Sequence, residues 1–516
     1  MAGLGIVFRR NGKGGVMNFI QVILVPVLVT YSLAMLVLLV YISNMAYLAI
    51  RGLVVQKRLL HPPANFRGEL PRITVQLPIY NEWYVAERLI ESAAALDYPP
   101  DLLEIQVLDD STDDTVLLIA EKVKQVRSRG VDVIHIHRKD REGFKAGALA
   151  NGLEKSKGEY LAIFDADFLP QPDFLKKVLP HFDHEKIAFV QARWGHLNRN
   201  YSLLTLLQSF SLDAHFAIDQ LARANTDYVF NFNGTAGVWR KSAILDAGGW
   251  KADTLTEDMD LSYRAFLCGW SARYAGEVEV PAELPVSFTA YRRQQYRWAR
   301  GSLECAMRYI PVIWKSNFSL ARKFQATLHL TGYALHLLTF VLILLYPFLL
   351  LFATKYPTLL APVGIGLIMN FLVFAPAMYF IVAQQLLRRR WFLSLPLIFL
   401  MSIFSSGLIL NTLRAALQIA QKRIVPFERT PKYAITNRAQ PWAESRYRVK
   451  IDSLVFFEML LALFNLWTAW FAWSTNHYLI MIFAFLFAVG LFFSSGFTLL
   501  QTLSARFTPD PKPVSD

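Results

Sequence analysis

Five stretches of the chain are apolar for long enough to cross the hydrocarbon core of a bilayer, which takes about 20 residues of helix. They run from Phe19 to Ile42, Leu328 to Ala353, Leu359 to Leu387, Leu454 to Trp473 and Tyr478 to Leu503. Between the first and the second lies a long stretch, roughly Val54 to Phe324, with the mixed polar and apolar pattern of a globular domain. The pattern predicts an integral membrane protein with one large soluble domain inserted between spans. Its expected parts are a transmembrane helix over 17–50, a soluble domain over 54–324, two spans within 325–387, an apolar element over 391–420, a polar loop region over 421–450 and two spans within 453–505. The first span is longer than the apolar region of a secretory signal, and no small-residue cleavage site closes it.

The element over 391–420 departs from the simple count. Phe392 to Leu410 is apolar enough to span, but basic clusters flank both ends, so the positive-inside rule is broken if it crosses. Pro396 and Ser405-Ser406-Gly407 interrupt its helical pattern, and Leu413 to Ala420 turns amphipathic. An interfacial or re-entrant element is therefore expected. Arg51, Lys57 and Arg58 follow the first span, Arg388 to Arg390 follow the third, and Lys422, Arg423, Arg429 and Lys432 precede the fourth. The loop Lys355 to Thr358 carries one base and belongs outside, which puts the soluble domain in the cytosol.

Within the soluble domain, short apolar runs alternate with helical patterns. Ile73 to Leu77, Ile105 to Leu108, Val131 to Ile136 and Tyr160 to Phe164 read as strands; Val85 to Leu96, Thr115 to Val126 and Lys145 to Ser156 read as helices. Such alternation predicts a parallel, doubly wound, Rossmann-like α/β sheet. Two of the strands run into acidic clusters, Asp109-Asp110-Ser111-Thr112-Asp113 and Asp165-Ala166-Asp167, which implies one ligand crevice at a shared sheet edge.

Composition sharpens this reading. Of 516 residues 54% are hydrophobic, and the formal charge is +13. The positive charge is mostly juxtamembrane, where it suits anionic lipid or phosphate ligands, and no nucleic-acid partner is expected. Cys268 and Cys305 form no disulfide framework and no metal-ligand spacing, in keeping with a reducing compartment.

The candidate chemistry gathers at the strand ends. Asp165 and Asp167 are separated by one residue, so both can reach one small site, whose natural occupant is a hard divalent cation holding phosphates; the alternative is a solvated turn. Asp109 or Asp110 can accept hydrogen bonds from a ribose or base, or the cluster can cap the following helix. Lys145, between Gly143 and Gly147 at a helix start, suits phosphate. Thr256-Glu257-Asp258 follows Gly-rich segments and reads alone as a helix start. Gln294, Arg297 and Trp298 share a helix face, where Arg can grip phosphate and Trp can stack on a sugar ring; a membrane-interface belt is the other reading. No Walker or dinucleotide glycine fingerprint is present.

Taken in order, Asp109-Asp110, Asp165-Ala166-Asp167, Thr256-Glu257-Asp258 and Gln294-Gln295-Tyr296-Arg297-Trp298 resemble the D, DxD, TED and QxxRW motifs of the processive family 2 glycosyltransferases, the cellulose synthase superfamily. The likeness is closer to the plant cellulose-synthase-like A and C proteins, which make mannan and glucan backbones. It is carried by Val107-Leu-Asp-Asp-Ser-Thr-Asp113, Lys145-Ala-Gly-Ala-Leu149, Ile163-Phe-Asp-Ala-Asp-Phe168, Val190-Gln-Ala-Arg-Trp194, Phe232-Asn-Gly-Thr-Ala-Gly237 and Glu257-Asp-Met-Asp-Leu261.

The resemblance implies a GT-A catalytic domain that polymerises hexose from a nucleotide-sugar donor, UDP-glucose or GDP-mannose, onto a growing β-linked polysaccharide. It implies Asp109 or Asp110 at the nucleoside, Asp165 against the nucleotide, and Asp167 (with Asp165) on Mg²⁺ or Mn²⁺. Asp258, beside Glu257, is the implied general base; Gln294 and Arg297 face the diphosphate, Trp298 the acceptor sugar, and Asn233, Gly234 and Thr235 the acceptor side. Pro426-Phe427-Glu428-Arg429-Thr430-Pro431-Lys432 is similar to the family's gating loop FxVTxK, with Arg429 in place of valine, and brings Thr430 and Lys432 to the nucleotide. The resulting expectation is a multi-pass protein of the plasma, or inner, membrane. Leu203 to Leu221 and Leu303 to Trp314 have apolar faces at helical spacing and are expected on the membrane surface.

Overall fold

The computed structural model describes residues 19–59, 66, 68–355, 374–423, 425, 428–436, 440 and 452–506. The first apolar stretch forms helix α1 (Phe19–Leu59), 41 residues long and continuing past the expected end at residue 50. At 1.5 Å per residue it is about 60 Å long, twice the hydrocarbon thickness, so part of it projects beyond a bilayer. Near that end Leu48 and Ala49 pack on Ala214, Ala217 and Ile218 of the soluble domain.

The strand and helix pattern from Ile73 onward appears in the expected order: β1 (Ile73–Ile79), α2 (Ala86–Ala94), β2 (Leu103–Asp109), α3 (Thr115–Arg127), β3 (Val133–His137), α4 (Phe144–Lys155) and β4 (Tyr160–Ile163). Then follow α5 (Phe174–Val178), β5 (Ile187–His196), α6 (Leu203–Ala214), a π-helical turn His215–Gln220, α7 (Leu221–Ala224), β6 (Gly237–Arg240), α8 (Lys241–Asp246), α9 (Glu257–Leu267) and β7 (Ser271–Ala282). The seven strands lie in the order β3-β2-β1-β4-β6-β5-β7.

The four strands expected to lie parallel do so, and the rest of the sheet adds one reversed strand. β1 pairs parallel with β2 and β4, β2 with β3 and β5 with β7, but β6 is antiparallel to both β4 and β5. The chain reaches β6 after the long helical excursion through α6 and α7, and slots it reversed between two strands already aligned. The sheet is therefore mixed, of the GT-A kind.

Apolar side chains cover both sheet faces. On one, Val75, Leu77 and Val107 meet Leu89, Ile90, Ile119 and Val123; on the other, Leu161, Ile163 and Phe189 meet Leu149, Leu153 and Trp239. Each such fully buried aliphatic contributes about 1.5–3 kcal/mol. Buried polar side chains of β1 and β2 are paired across the ladder, Thr74 Oγ1 donating to Glu104 (2.7 Å) and Gln76 Nε2 to Gln106 Oε1 (3.0 Å), which offsets part of the cost of burying them.

The chain then enters α10 (Phe288–Lys315), whose N-cap Ser287 accepts from Ala290 N–H, and α11 (Leu320–Leu330). The remaining helices are α12 (Ala334–Lys355), α13 (Phe374–Leu386), α14 (Leu395–Ser406), α15 (Ile409–Ala420), α16 (Leu454–Ser474) and α17 (Tyr478–Arg506). Among the described residues, five helical segments are long and apolar enough to cross a membrane: Ile23–Gln56, Ala334–Thr354, Trp391–Ala420, Leu454–Ser474 and Tyr478–Leu503. The stretch Leu359 to Leu387 and the loop before it lie partly outside the described residues; the described part is α13. The segment 391–420 breaks at Gly407 into α14 and α15, where the sequence carries its Ser-Ser-Gly run.

Helix α10 belongs to both halves of the molecule. At its start Phe288 and Tyr291 pack on Phe404 of α14, and Phe288 also meets Phe497 of α17. One residue further, Arg292 donates to Glu458 of α16 at 2.8 Å, both side chains fully buried, while Asn411 of α15 donates to the Arg292 carbonyl. Toward its end Cys305, Tyr309 and Ile313 join the core of the soluble domain.

Candidate active site

The six parallel strands present their carboxyl ends on one edge of the sheet, and the reversed β6 begins there. That edge opens into a cleft walled by Glu82 after β1, Asp110 after β2, Asp165 and Asp167 after β4, Trp194 of β5, Asn233 and Gly234 before β6 and Glu283 after β7. Lys145 from α4, Glu257 and Asp258 from α9, and Gln294, Arg297 and Trp298 from α10 close it, and Arg429, Thr430 and Lys432 come across from the loop after α15. Pro426 and Phe427 of that loop lie outside the described residues.

Two residues named from sequence do not line the cleft. Asp109 is the last residue of β2 and points the other way from Asp110, as alternation on a strand requires. It is fully buried; its Oδ1 accepts the Ser111 N–H (2.8 Å) and its Oδ2 lies 2.9 Å from His135 Nε2. Burial works to raise its pKa, but the bonds from His135 and Ser111 prevail and hold it below the usual carboxylate value. Thr235 is also buried, and its hydroxyl accepts the backbone N–H of Asp165 (2.8 Å), fixing that residue from behind.

The acids of the cleft are held by bases. Lys145 Nζ lies 2.6 Å from Asp165 Oδ1 and 3.6 Å from Glu257 Oε1, and donates to the Gly234 carbonyl at 2.9 Å. Gly234 is in the left-handed region (φ 80°), and a side chain there would press on Asp258 and on Lys145 itself. Lys432 Nζ lies 2.6 Å from Asp167 Oδ2 and donates to the Glu283 carbonyl; Glu283 in turn accepts the Tyr433 N–H (2.8 Å) and pairs with Arg88 (3.1 Å). Arg297 donates to Thr430 Oγ1 at 3.0 Å, and Arg429 pairs with Glu82 at 3.1 Å. Asp110 is gripped by both Nε (2.7 Å) and Nη2 (2.6 Å) of Arg138.

These surroundings shift the titration of the site. Burial, reinforced by repulsion from Glu257 and opposed by Lys145, pushes the Asp258 carboxyl up to about 8. Burial also raises Asp165, against the pull of Lys145. Glu82 is pushed up to about 8 by burial, with Arg429 opposing and Asp167 adding to the rise. For Lys145, burial works to lower the pKa, but Asp165 and Glu257 prevail and keep the ammonium charged.

The Thr256-Glu257-Asp258 motif is both of the things its sequence allowed. Glu257 and Asp258 form the first turn of α9, and they also face the cleft. Gly301 of α10 packs directly on Thr256, the N-cap residue of α9, where an added methyl would run into the threonine side chain.

Asp165 and Asp167 supply only carboxylate oxygens, and a lysine ammonium already lies against each of them. Hard oxygen donors at a site that stabilises positive charge fit Mg²⁺ or Mn²⁺.

The sugar side is aromatic. The Trp194 and Trp298 rings lie 6.4 Å apart and tilted by 53°, with Phe168 edge-on to Trp194. Asn233 is set by three partners: its N–H donates to Gln191 (2.8 Å), its Oδ1 accepts from Gln220 (2.6 Å), and its Nδ2 lies 3.0 Å from His215 Nε2. His215 and Gln220 come from the π-helical turn, a feature that often marks a functional site. Sequence reasoning had not singled out Glu82, Glu283, Arg138 or Arg141, the last stacked 3.4 Å over the Tyr80 ring. The run Pro78-Ile79-Tyr80-Asn81-Glu82 at a strand end was the available signal for Glu82.

A mixed sheet that gathers two spaced aspartates, a buried acid and an Arg-Trp helix face at one edge defines a GT-A type glycosyltransferase domain. Residues 71–301 match the model described as Glycosyltransferase like family 2. The chain is 47% identical over 239 residues to glucomannan 4-beta-mannosyltransferase 2 of Arabidopsis thaliana, a match over 45% of each protein. It is 42% identical over 286 residues to glucomannan 4-beta-mannosyltransferase 1 of Oryza sativa subsp. japonica, covering 52% of this chain and 54% of that one. The chain thus spans about half the length of the curated relatives it matches. Among solved structures it shares its fold with the mannosyltransferase PcManGT from Pyrobaculum calidifontis, with a TM-score of 0.51 and 19% identity over 77% of this chain and all of that one.

Proposed function

We propose that the protein is a membrane-embedded, inverting, processive β-glycosyltransferase that builds a β-linked hexose polymer, with a 1,4 linkage, from a nucleotide sugar and passes it through its own spans. The observation that carries this reading is the loop 428–432 laid across the cleft, joining Thr430 to Arg297 and Lys432 to Asp167, so that the donor site is enclosed by a segment leading to the membrane helices. The similarity to glucomannan 4-beta-mannosyltransferases favours GDP-mannose as donor, with UDP-glucose the alternative; the fold neighbour, described in complex with GDP-Man and Mn2+, is compatible with that choice.

In this mechanism Asp258 takes the proton from the acceptor hydroxyl as that oxygen attacks the anomeric carbon from the face opposite the diphosphate, and the configuration inverts. Gln294, Arg297 and Lys432 orient the diphosphate, and the Trp194 and Trp298 rings carry the acceptor sugar. Asn233 and Gly234 line the acceptor side, with Thr235 behind them. Lys145 holds Asp165 and Glu257 in place. A Mg²⁺ or Mn²⁺ ion held by Asp167 and Asp165 would neutralise the charge developing on the leaving nucleoside diphosphate. The catalytic domain works on the cytosolic side of a plasma or inner membrane, and segment 391–420 lies at the interface or re-enters it, its amphipathic α15 running beside α10.

The test is a donor screen on purified protein in lipid nanodiscs with Mn²⁺, following GDP or UDP release and product size. The expected result is release from one donor and a polymer cut by an endo-1,4-β-mannanase or glucanase. A product confined to chloroform-soluble glycolipid would overturn processive synthesis.

A further inference from the structure

At the outer edge of the sheet, away from the lining of the cleft, three side chains converge that the reaction above does not use. β2 and β3 are parallel with Asp109 directly opposite His137, and His135 sits two residues earlier on the same face of the edge strand. Asp109 Oδ2 lies 2.9 Å from His135 Nε2 and 3.3 Å from His137 Nδ1. One donor atom from each residue, taken together, falls within 4.8 Å of the other two.

Two imidazole nitrogens on a single carboxylate oxygen can be a pair of hydrogen bonds, but the spacing also has a second meaning. Four ligands at about 2.0–2.1 Å around a tetrahedral ion stand roughly 3.3 Å from one another, close to both separations here. The surroundings favour the second meaning. Asp109 is fully buried and its remaining oxygen is tied to the Ser111 N–H, which fixes the direction of Oδ2 as an outer partner fixes a metal ligand. His137 keeps a third of its side chain exposed and His135 about half that, so the cluster is reachable from solvent and leaves room for water as a further ligand. The donor set also differs in kind from that of the cleft: two imidazoles and one carboxylate select a borderline ion such as Zn²⁺, while Asp165 and Asp167 offer only hard oxygens.

We propose that Asp109, His135 and His137 form a second metal site, for Zn²⁺ or a similar borderline divalent ion, with solvent completing the coordination. An ion there braces the nucleotide wall of the cleft. Ser111, whose N–H holds Asp109, accepts the Asn81 N–H on its hydroxyl (2.9 Å), and the next residue after His137 is Arg138, which grips Asp110.

The experiment uses tag-free protein in detergent, stripped with a chelator and titrated with Co²⁺ as a spectroscopic probe. The expected result is one Co²⁺ per chain with the intense visible bands of tetrahedral nitrogen and oxygen ligation, displaced by Zn²⁺. The bands are lost in His137→Ala, whose exposed side chain is not needed for folding, and in His135→Ala, and are kept in Asp167→Ala. Absence of the bands in the unmodified protein, or their survival in His137→Ala, overturns the proposal. Because the readout is Co²⁺ absorption without donor sugar, it is independent of whether the polymerase reading is right.

Discussion

Lys145 is the point at which charge balance in the cleft can be tested most directly. Its ammonium lies 2.6 Å from Asp165 and 3.6 Å from Glu257, with Asp258 also close enough to feel it. At an effective dielectric constant near 20, unit charges at those two separations attract by about 6 and 5 kcal/mol, before the cost of desolvating the ammonium is subtracted. Removing one partner of a buried pair costs about 3–5 kcal/mol, and since about a third of the Asp165 side chain remains exposed, the lower end applies. Lys145→Met keeps the length and removes the charge, so it should destabilise the catalytic domain by about 3 kcal/mol, or roughly 6–12 °C in melting temperature for a domain of this size. Adding Asp165→Asn removes the stranded acid and should recover most of that loss, a coupling visible only if the two side chains interact in the folded protein. The assay is thermal melting of the two single variants and the double variant in the same detergent. A Lys145→Met protein that melts within about 2 °C of the parent, or a double variant no better than the single one, refutes the reasoning.

Further outcomes follow from the site. Asp258 must be ionised to accept a proton, and its pKa is raised to about 8, so kcat/KM should fall about tenfold per pH unit below that value and level off above it. The sign for stability is opposite: the unfolded chain releases this proton near the ordinary carboxylate pKa while the folded site retains it, so the group weakens folding as pH rises toward 8. Asp258→Asn should bind donor, measured by calorimetry, yet not turn over. Asp167→Ala should abolish Mn²⁺-stimulated nucleotide release, and an active variant would contradict its metal role. Gly301→Ala forces α10 off Thr256 and should cost about 1–3 kcal/mol of stability together with a drop in kcat, read from melting and steady-state rates.

The parts of this molecule that were legible in the sequence are those governed by local periodicity and by motif spacing. The strands and helices from Ile73 to Phe164 follow hydrophobic alternation, and the acids at 165, 167, 257 and 258 do meet in one cleft. What stayed hidden was non-local. The reversed insertion of β6 depends on where a strand of four residues finds partners, which its own pattern does not encode. Asp109 and Asp110 are adjacent in the chain and face opposite ways, and only the register with β3 decides which one reaches the cleft. The partnership of Glu283 with Lys432 and Tyr433 spans about 150 positions and leaves no mark in either segment. The continuation of α1 beyond residue 50 was not legible because Arg51, Lys57 and Arg58 break the apolar run that marks a span while the backbone stays helical to Leu59.

The double allegiance of α10 bears on attempts to study the chemistry apart from the membrane. A fragment ending near residue 301, where the match to the Glycosyltransferase like family 2 model stops, is a natural way to isolate the cleft, but the cut leaves Arg292 without Glu458 and strips Phe288 and Tyr291 of Phe404. An uncompensated cation and two bare aromatic rings would then flank Gln294, Arg297 and Trp298 by a turn of helix. Excision thus damages the very residues it aims to expose, and a working fragment would need those three positions redesigned as surface.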